Sequence, residues 1–297
     1  GIFTASTTVT INTAPTQGTP ILNSTMGTNG TNENLTVYTT SVSDADSDAT
    51  TTIVNWYVND KSLLVLNMPF DANSSVVTRD YSPYSNNGSI VNGTVWNASG
   101  ISGGAYSFDG FNDFISIPDS NSLRMASSLS VEVWYYSRQS SNAVLLSKRN
   151  ASGTGQNYQL AILATNQIQY CATPNGCNSS LNALLTTGVW THIVVTYNGS
   201  IVNFYKNGTL LSYANATGGP TPNSENLVIG SYAGGSGSFF NGSIDEVRIW
   251  NRTLTAEQVT VLYDAGRRKV NTTHSAETVA GETWKAQVFI NDGLDDS

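Results

Sequence analysis

Charge is scarce in this 297-residue chain. Lys, Arg, Asp and Glu make up 11% of it, and 13 basic against 21 acidic residues leave a formal net charge of −8. No basic surface is therefore available for nucleic acid or another polyanion. Histidine is confined to His192 and His274 and cysteine to Cys171 and Cys177, and no Cys/His zinc cluster, phosphate-binding loop or Gly-x-Ser-x-Gly elbow is found. No apolar run approaches the roughly 18–20 residues of a membrane span. The opening Gly1-Ile2-Phe3-Thr4 is neither a signal peptide nor an initiator start, and reads as a mature or excised piece. Thr, Ser, Asn and Gly fill the polar quota, the vocabulary of strands, tight turns and glycan acceptors rather than of helices stitched by Glu/Lys pairs. An all-β chain is expected, with two domains at this length, since single cores rarely outgrow about 250 residues.

The glycan-acceptor pattern Asn-x-Ser/Thr occurs at Asn23, Asn29, Asn34, Asn73, Asn87, Asn92, Asn97, Asn150, Asn178, Asn198, Asn207, Asn215, Asn241, Asn251 and Asn271. Random order of the 32 Asn and 71 Ser plus Thr would give about eight such sequons, so composition alone accounts for about half of them. The excess points to an extracellular or cell-surface glycoprotein carrying N-linked glycans. Cys171 and Cys177 frame a short Ala-Thr-Pro-Asn-Gly turn, where a disulfide closes easily if the flanking strands pair; two reduced buried thiols are the alternative.

From Leu66 to about Ala265, alternating runs recur between turn signals. In Ser128-Leu129-Ser130-Val131-Glu132-Val133-Trp134 the Leu and two Val share one face, as in a half-buried strand. The run Trp190-Thr191-His192-Ile193-Val194-Val195-Thr196-Tyr197 ends at Asn198-Gly199, and a second run ends at Asn207-Gly208, which predicts consecutive hairpins. A helix is expected only late, from about Ala256 to Asp264, with Thr255 and Gln258 spaced as a capping box. Many short strands and one helix imply a two-sheet sandwich. The ordered series Phe108-Asp109-Gly110, Val131-Glu132-Val133-Trp134, Trp190-Thr191-His192, Phe204-Tyr205-Lys206-Asn207-Gly208 and Gly242-Ser243-Ile244-Asp245-Glu246-Val247-Arg248-Ile249-Trp250 resembles the laminin-G-like and concanavalin-A-like jelly rolls, including the pentraxin-type members.

That resemblance implies a module that binds carbohydrate or protein, or is structural, often with calcium at the sandwich rim. Asp71, Asp80, Asp109, Asp113 and Asp245 fall at expected strand ends or turns and are the candidate calcium ligands. The plainer reading is that each caps a turn through backbone hydrogen bonds, or that Asp245 pairs with Arg248. No catalytic residue is expected. A glycosidase needs two carboxylates facing the scissile bond, and the one close acidic pair, Asp245-Glu246, should point to opposite faces of its strand. His192, inside a strand pattern, reads as a hydrogen-bonded structural histidine.

The flanks hold too few strands to close a sandwich separately, but together they nearly do. They resemble bacterial and archaeal surface-type immunoglobulin-like repeats, with the acidic turn Asp44, Asp46 and Asp48, a Trp56-Tyr57 strand, and a Trp284 strand ending in Asn291-Asp292-Gly293. That acidic turn is not an EF-hand, because Ala49 stands where the turn needs Gly and Asn55 where a bidentate Glu belongs. The expected layout is a terminal strand and linker at 1–15, the first part of a split domain at 16–64, the jelly roll at 65–268, and the second part at 269–297. Residues 4–12 read as a strand that completes a neighbouring unit, so the leading expectation is a structural subunit polymerising head to tail with copies of itself. The alternative is a carbohydrate-binding adhesin that uses exposed Trp or Tyr of the jelly roll.

Overall fold

The computed structural model describes residues 12–28, 30, 33–150, 152, 155–268, 272–273, 278 and 280–297. The chain opens with β1 (Ile21–Ser24), β2 (Leu35–Tyr38), β3 (Thr51–Val58) and β4 (Lys61–Ser62). The body runs through β5 (Leu66–Met68), β6 (Val77–Thr78), β7 (Gly88–Val91), β8 (Val95–Asn97), β9 (Ala105–Asp109), β10 (Phe114–Ile117), β11 (Leu129–Ser137) and β12 (Ala143–Arg149). It continues with β13 (Gln156–Ile162), β14 (Ile168–Ala172), β15 (Gly176–Ser179), β16 (Trp190–Tyr197), β17 (Ile201–Lys206), β18 (Thr209–Asn215), β19 (Leu227–Ile229) and β20 (Asn241–Trp250). Helix α1 (Ala256–Arg268), β21 (Thr272–Thr273) and β22 (Trp284–Asn291) complete it.

Two large antiparallel sheets make the jelly roll, ordered β15-β14-β13-β12-β19-β10-β7-β6 and β18-β17-β16-β11-β20-β9-β8, with β5 also paired to β20. Period-two alternation explains their packing. From β11, Leu129, Val131, Val133 and Tyr135 enter the core between the sheets, where they meet Ile193, Val195 and Tyr197 of β16 and Phe204 of β17. Ser130, Glu132, Trp134 and Tyr136 are left on the outer face. Each such apolar side chain removed from water contributes about 1.5–3 kcal/mol. Both hairpins form at Asn198-Gly199 and Asn207-Gly208, as their turn chemistry predicts.

Helix α1 covers part of that outer face. Its capping box closes as the spacing predicts, with Thr255 N donating to Gln258 Oε1 (2.8 Å) and Gln258 N to Thr255 Oγ1 (3.3 Å). The helix extends past Asp264 to Arg268. Gly266 belongs to that extra turn because a Cβ there would lie 2.8 Å from the Trp134 indole nitrogen, so the bare backbone lets the helix sit on the ring.

The two flanks meet in space. Strand β3 pairs with β22 over its whole length, β4 extends that sheet, and β1, β2 and β21 form a second small sheet. Val37, Val288 and Ile290 are buried between them beside Val54, Trp56 and Ala286, with Trp56 and Trp284 edge to face at 6.4 Å. The β3–β22 sheet turns its other face to the jelly roll, where Phe289 meets Tyr81 at 5.2 Å and Tyr81 Oη donates to Asp296 (2.8 Å). The strand expected at residues 4–12 lies outside the described residues apart from Asn12, whose amide donates to Asp292 (2.9 Å) and Asp295 (3.0 Å).

Candidate functional site

The five candidate calcium ligands do not converge as one group, although Asp71 lies near Asp245 at the 100–104 loop and Asp113 beside Asp109. Asp80 accepts from the amides of Asn67, Ser82 and Asn86, Asp109 from Phe111 and Asn112, and Asp113 from Gly93 and Asp109. Asp71 accepts from Gly104 N, and Asp245 from Ile101, Ser102 and Glu246. Among the described residues no group of three or more His, Cys, Asp and Glu is placed to hold a metal ion. These carboxylates act as turn and loop caps. Burial raises the carboxyls of Asp80 and Asp113. The acidic turn is capped likewise, with Asp44 Oδ1 accepting from Asp46 N and Asp48 N.

The expectation that Asp245 and Glu246 face apart is corrected by a β-bulge. The β11–β20 register slips between Glu132 and Trp134, so that Trp134 opposes Asp245 while Glu132 opposes Arg248. Glu246 takes up the extra residue with φ 51°, which interrupts alternation. Both carboxylates become buried and feel each other's charge. Around them lies a closed network: His192 Nε2 is 2.9 Å from Glu132 Oε1, Arg248 Nη1 donates to Glu132 Oε2 (3.1 Å), and Arg248 Nη2 pairs with Glu246. Burial, with Glu246 and Asp71 nearby, holds the Asp245 carboxyl well above its usual range. Burial also pushes Glu246 up to about 8 against the opposing pull of Arg248. At Glu132 burial acts upward too, but Arg248 and His192 outweigh it and keep that carboxyl low.

His192 is a structural histidine, tilted against Trp134 (4.8 Å) and Tyr263 of α1 (5.8 Å), which stack on each other at 5.6 Å. This portion of the face is sealed by α1 and by Leu63 and Leu64, which pack with Val194, Tyr205, Trp250, Leu254 and Val259.

One residue pair further along the same strands, the face stays open. Trp190 and Tyr136 are register partners with ring centroids 6.0 Å apart at 60°. Next in the row stand Ser243 and Ser107, hydroxyls 3.2 Å apart, and then Val95, 60% exposed, at the edge. The Arg138 guanidinium lies 5.9 Å from the Tyr136 ring centroid and donates from Nη1 and Nη2 to Ser107 Oγ, both at 3.3 Å. Neither Tyr136 Oη nor Trp190 Nε1 has a hydrogen-bond partner among the described residues. Two half-buried aromatic rings and a guanidinium thus form a shallow shelf on paired strands, with Ser107 at its edge and Ser243 buried beside it. Aromatic faces accept the C–H face of a ring-shaped ligand while the polar edges bind its hydroxyls. The sequence motifs include Trp190 and Ser243 but not Tyr136, Arg138 or Ser107; the continued alternation of β11 past Trp134 is the signal that reaches Tyr136.

Cys171 and Cys177 are disulfide-bonded across β14 and β15. Asn29 and Asn271 lie outside the described residues, and none of the other thirteen sequon asparagines is buried. Asn55, Asn67, Asn86, Asn157 and Asn291 are buried, and none of these five heads a sequon.

A family model described as the concanavalin A-like lectin/glucanases superfamily matches residues 108–260, just over half the chain. No curated protein matches the chain. Among solved structures, the binding domain of Paraclostridial Mosquitocidal Protein 1 superposes with a TM-score of 0.55 at 14% identity, covering 68% of this chain and 52% of that one. Domain 4 of AbnA, a GH43 extracellular arabinanase from Geobacillus stearothermophilus solved with arabinotriose, gives 0.52 at 20% identity, covering 67% of this chain and 98% of that domain. The receptor binding domain of botulinum neurotoxin D gives 0.51 at 17% identity, covering 68% and 52%. The chain therefore spans about half the length of the two toxin domains, and at these identities the likeness is one of fold.

Proposed function

The chain belongs to the concanavalin A-like lectin/glucanases superfamily, and from that premise we propose that it is a carbohydrate-binding module of a secreted or cell-surface glycoprotein, with the Tyr136–Trp190 shelf as its sugar platform. The observation that carries the reading is the pair of rings on paired strands with unspent polar edges, flanked by Arg138, Ser107 and Ser243. Rigid aromatics lose little entropy on binding and give a sugar ring a flat apolar seat. Binding without catalysis fits the same face, because its close carboxylates, Asp245 and Glu246, are buried beneath other elements. The test of this reading is a glycan array with the intact glycoprotein: the wild type binds a defined set of glycans and Tyr136→Ala/Trp190→Ala binds none. Equal signals from both proteins would remove the shelf from the reading.

A second reading, a fibre subunit polymerising through an immunoglobulin-like flank, is favoured by one observation. Asp296 bridges Asn291 and Ser297 N donates to Ile290 O (2.8 Å), so the tail begins a new strand on the edge of β22. Further strand pairing along that edge by a second copy would build a linear polymer. Deletion of residues 1–13 should then abolish filaments seen by electron microscopy, and filaments that persist would end this version.

A further inference from the structure

Every open sheet needs protection at its edges, because an unpaired strand is a template for another chain. Lys or Pro on the edge is a common device, and this chain has little charge to use. In the sheet that carries the shelf the edges are β18 and β8. Strand β18, Thr-Leu-Leu-Ser-Tyr-Ala-Asn, has no charge and no Pro, and leaves Leu210 47% and Tyr213 67% exposed. Strand β8, Val-Trp-Asn, is uncharged too. Seven residues of high β-propensity without charge are the signature of an aggregating segment.

Sequons bracket both edges. Asn207 stands in the turn that enters β18 and Asn215 is its last residue; Asn92 precedes β8 and Asn97 ends it. Of the five sequon asparagines within described strands, Asn23, Asn97, Asn178 and Asn215 are on edge strands, while Asn241 is the first residue of the internal β20. At two of the bracketing sites the amide is already oriented. Asn207 Oδ1 accepts from His192 N (3.0 Å) and Asn97 Oδ1 from Ser99 N (3.0 Å), which leaves each Nδ2 without a partner among the described residues. Asn178 differs, since its Nδ2 is buried without a partner and must swing outward before it can carry a sugar. The longest edge strand, β22, has no sequon. It contains Lys285, and its edge is occupied by Ser297 at Ile290 and by Gln17 Nε2 on Val288 O (2.9 Å).

We infer that N-linked glycans on Asn97, Asn207 and Asn215 are edge guards, standing in for the charges this chain lacks and keeping β8 and β18 from pairing with other chains. Attachment joins Nδ2 to the anomeric carbon of a lipid-phosphate-linked sugar; the lipid phosphate leaves with the bonding pair and Nδ2 gives up one proton. A bulky hydrated group at both ends of β18 and at the end of β8 excludes a second strand sterically.

The test uses the full chain made in a host that glycosylates Asn-x-Ser/Thr. Glycopeptide mapping should find Asn97, Asn207 and Asn215 occupied. Ser99→Ala/Thr209→Ala/Thr217→Ala removes these three sequons and keeps each Asn, while Ser152→Ala/Ser200→Ala/Asn251→Gln removes three at turns. Light scattering should show the edge variant self-associating about tenfold faster than the turn variant, which should match the wild type. Enzymatic deglycosylation of the folded wild type should give the same acceleration, and guards against a folding defect in the variant. Equal rates for the two variants, empty edge sites, or a deglycosylated protein that stays monomeric would each overturn the inference.

Discussion

Glu132 and Tyr136 stand four residues apart on the outer face of one strand and meet opposite fates. Around Glu132 the ionic partners are all protein: His192, Arg248 and, through Arg248, Glu246, sealed under α1. Around Tyr136 the covering helix is gone, and Tyr136 and Trp190 stay half-exposed beside the exposed Arg138. A charge network sealed beneath other elements cannot reach a ligand, whereas an open aromatic shelf with unspent donors can. Polarity on a sheet face therefore marks a site only where nothing folds back over it.

Three experiments sharpen that contrast. Arg248→Ala should have the largest effect, about 3–5 kcal/mol of stability, because it strands Glu132 as a buried carboxylate without its cation. Denaturant unfolding measures it, and a loss below 1 kcal/mol would mean that water already reaches the network.

The same network gives folding a pH slope. Glu246 rises to about 8 from 4.5, so between those values the folded state holds a proton that the unfolded chain releases. Stability should therefore fall as pH climbs from about 5 to 8 and level off above, since less proton is bound in the unfolded state throughout that window. Glu246→Gln should flatten the slope in a series of unfolding midpoints; an unchanged slope assigns it to Asp245, whose carboxyl is also raised by burial. At the open end, Trp190→Ala should weaken glycan binding by about 2 kcal/mol, roughly 30-fold. Because Trp190 is only half-buried, its unfolding midpoint should stay close to that of the wild type. Titration calorimetry and thermal unfolding on one sample separate the two regions.

Several elements were legible because their cause is local. Asn198-Gly199 and Asn207-Gly208 turn where two residues must adopt hairpin geometry, and Thr255 with Gln258 starts α1 by two hydrogen bonds over three residues. His192 reads as structural and is, held by Glu132. The bulge at Glu246 was not legible, since an extra residue exists only relative to the partner strand, and nothing near Asp245-Glu246 in sequence announces where β11 sets the register. The shelf was half legible. Trp190 stands out, but its pairing with Tyr136 spans 54 residues of chain, and neither residue shows that α1 stops short of covering it.

The all-β class, the alternating strands, the two hairpins, the capped helix and the places where sugars can attach follow from the order of residues alone, because each rests on contacts within a few residues. Which of those polar residues are used up depends on long-range packing. It joined flanks more than 200 residues apart through β3 and β22, turned five acidic candidates into loop caps, buried the Asp245–Glu246 pair at a bulge, and left Tyr136 beside Trp190 in the open. The physical reason is that exposure and pairing belong to surfaces in contact, and a chain fixes its own periodicity long before it fixes what will lie on top of it.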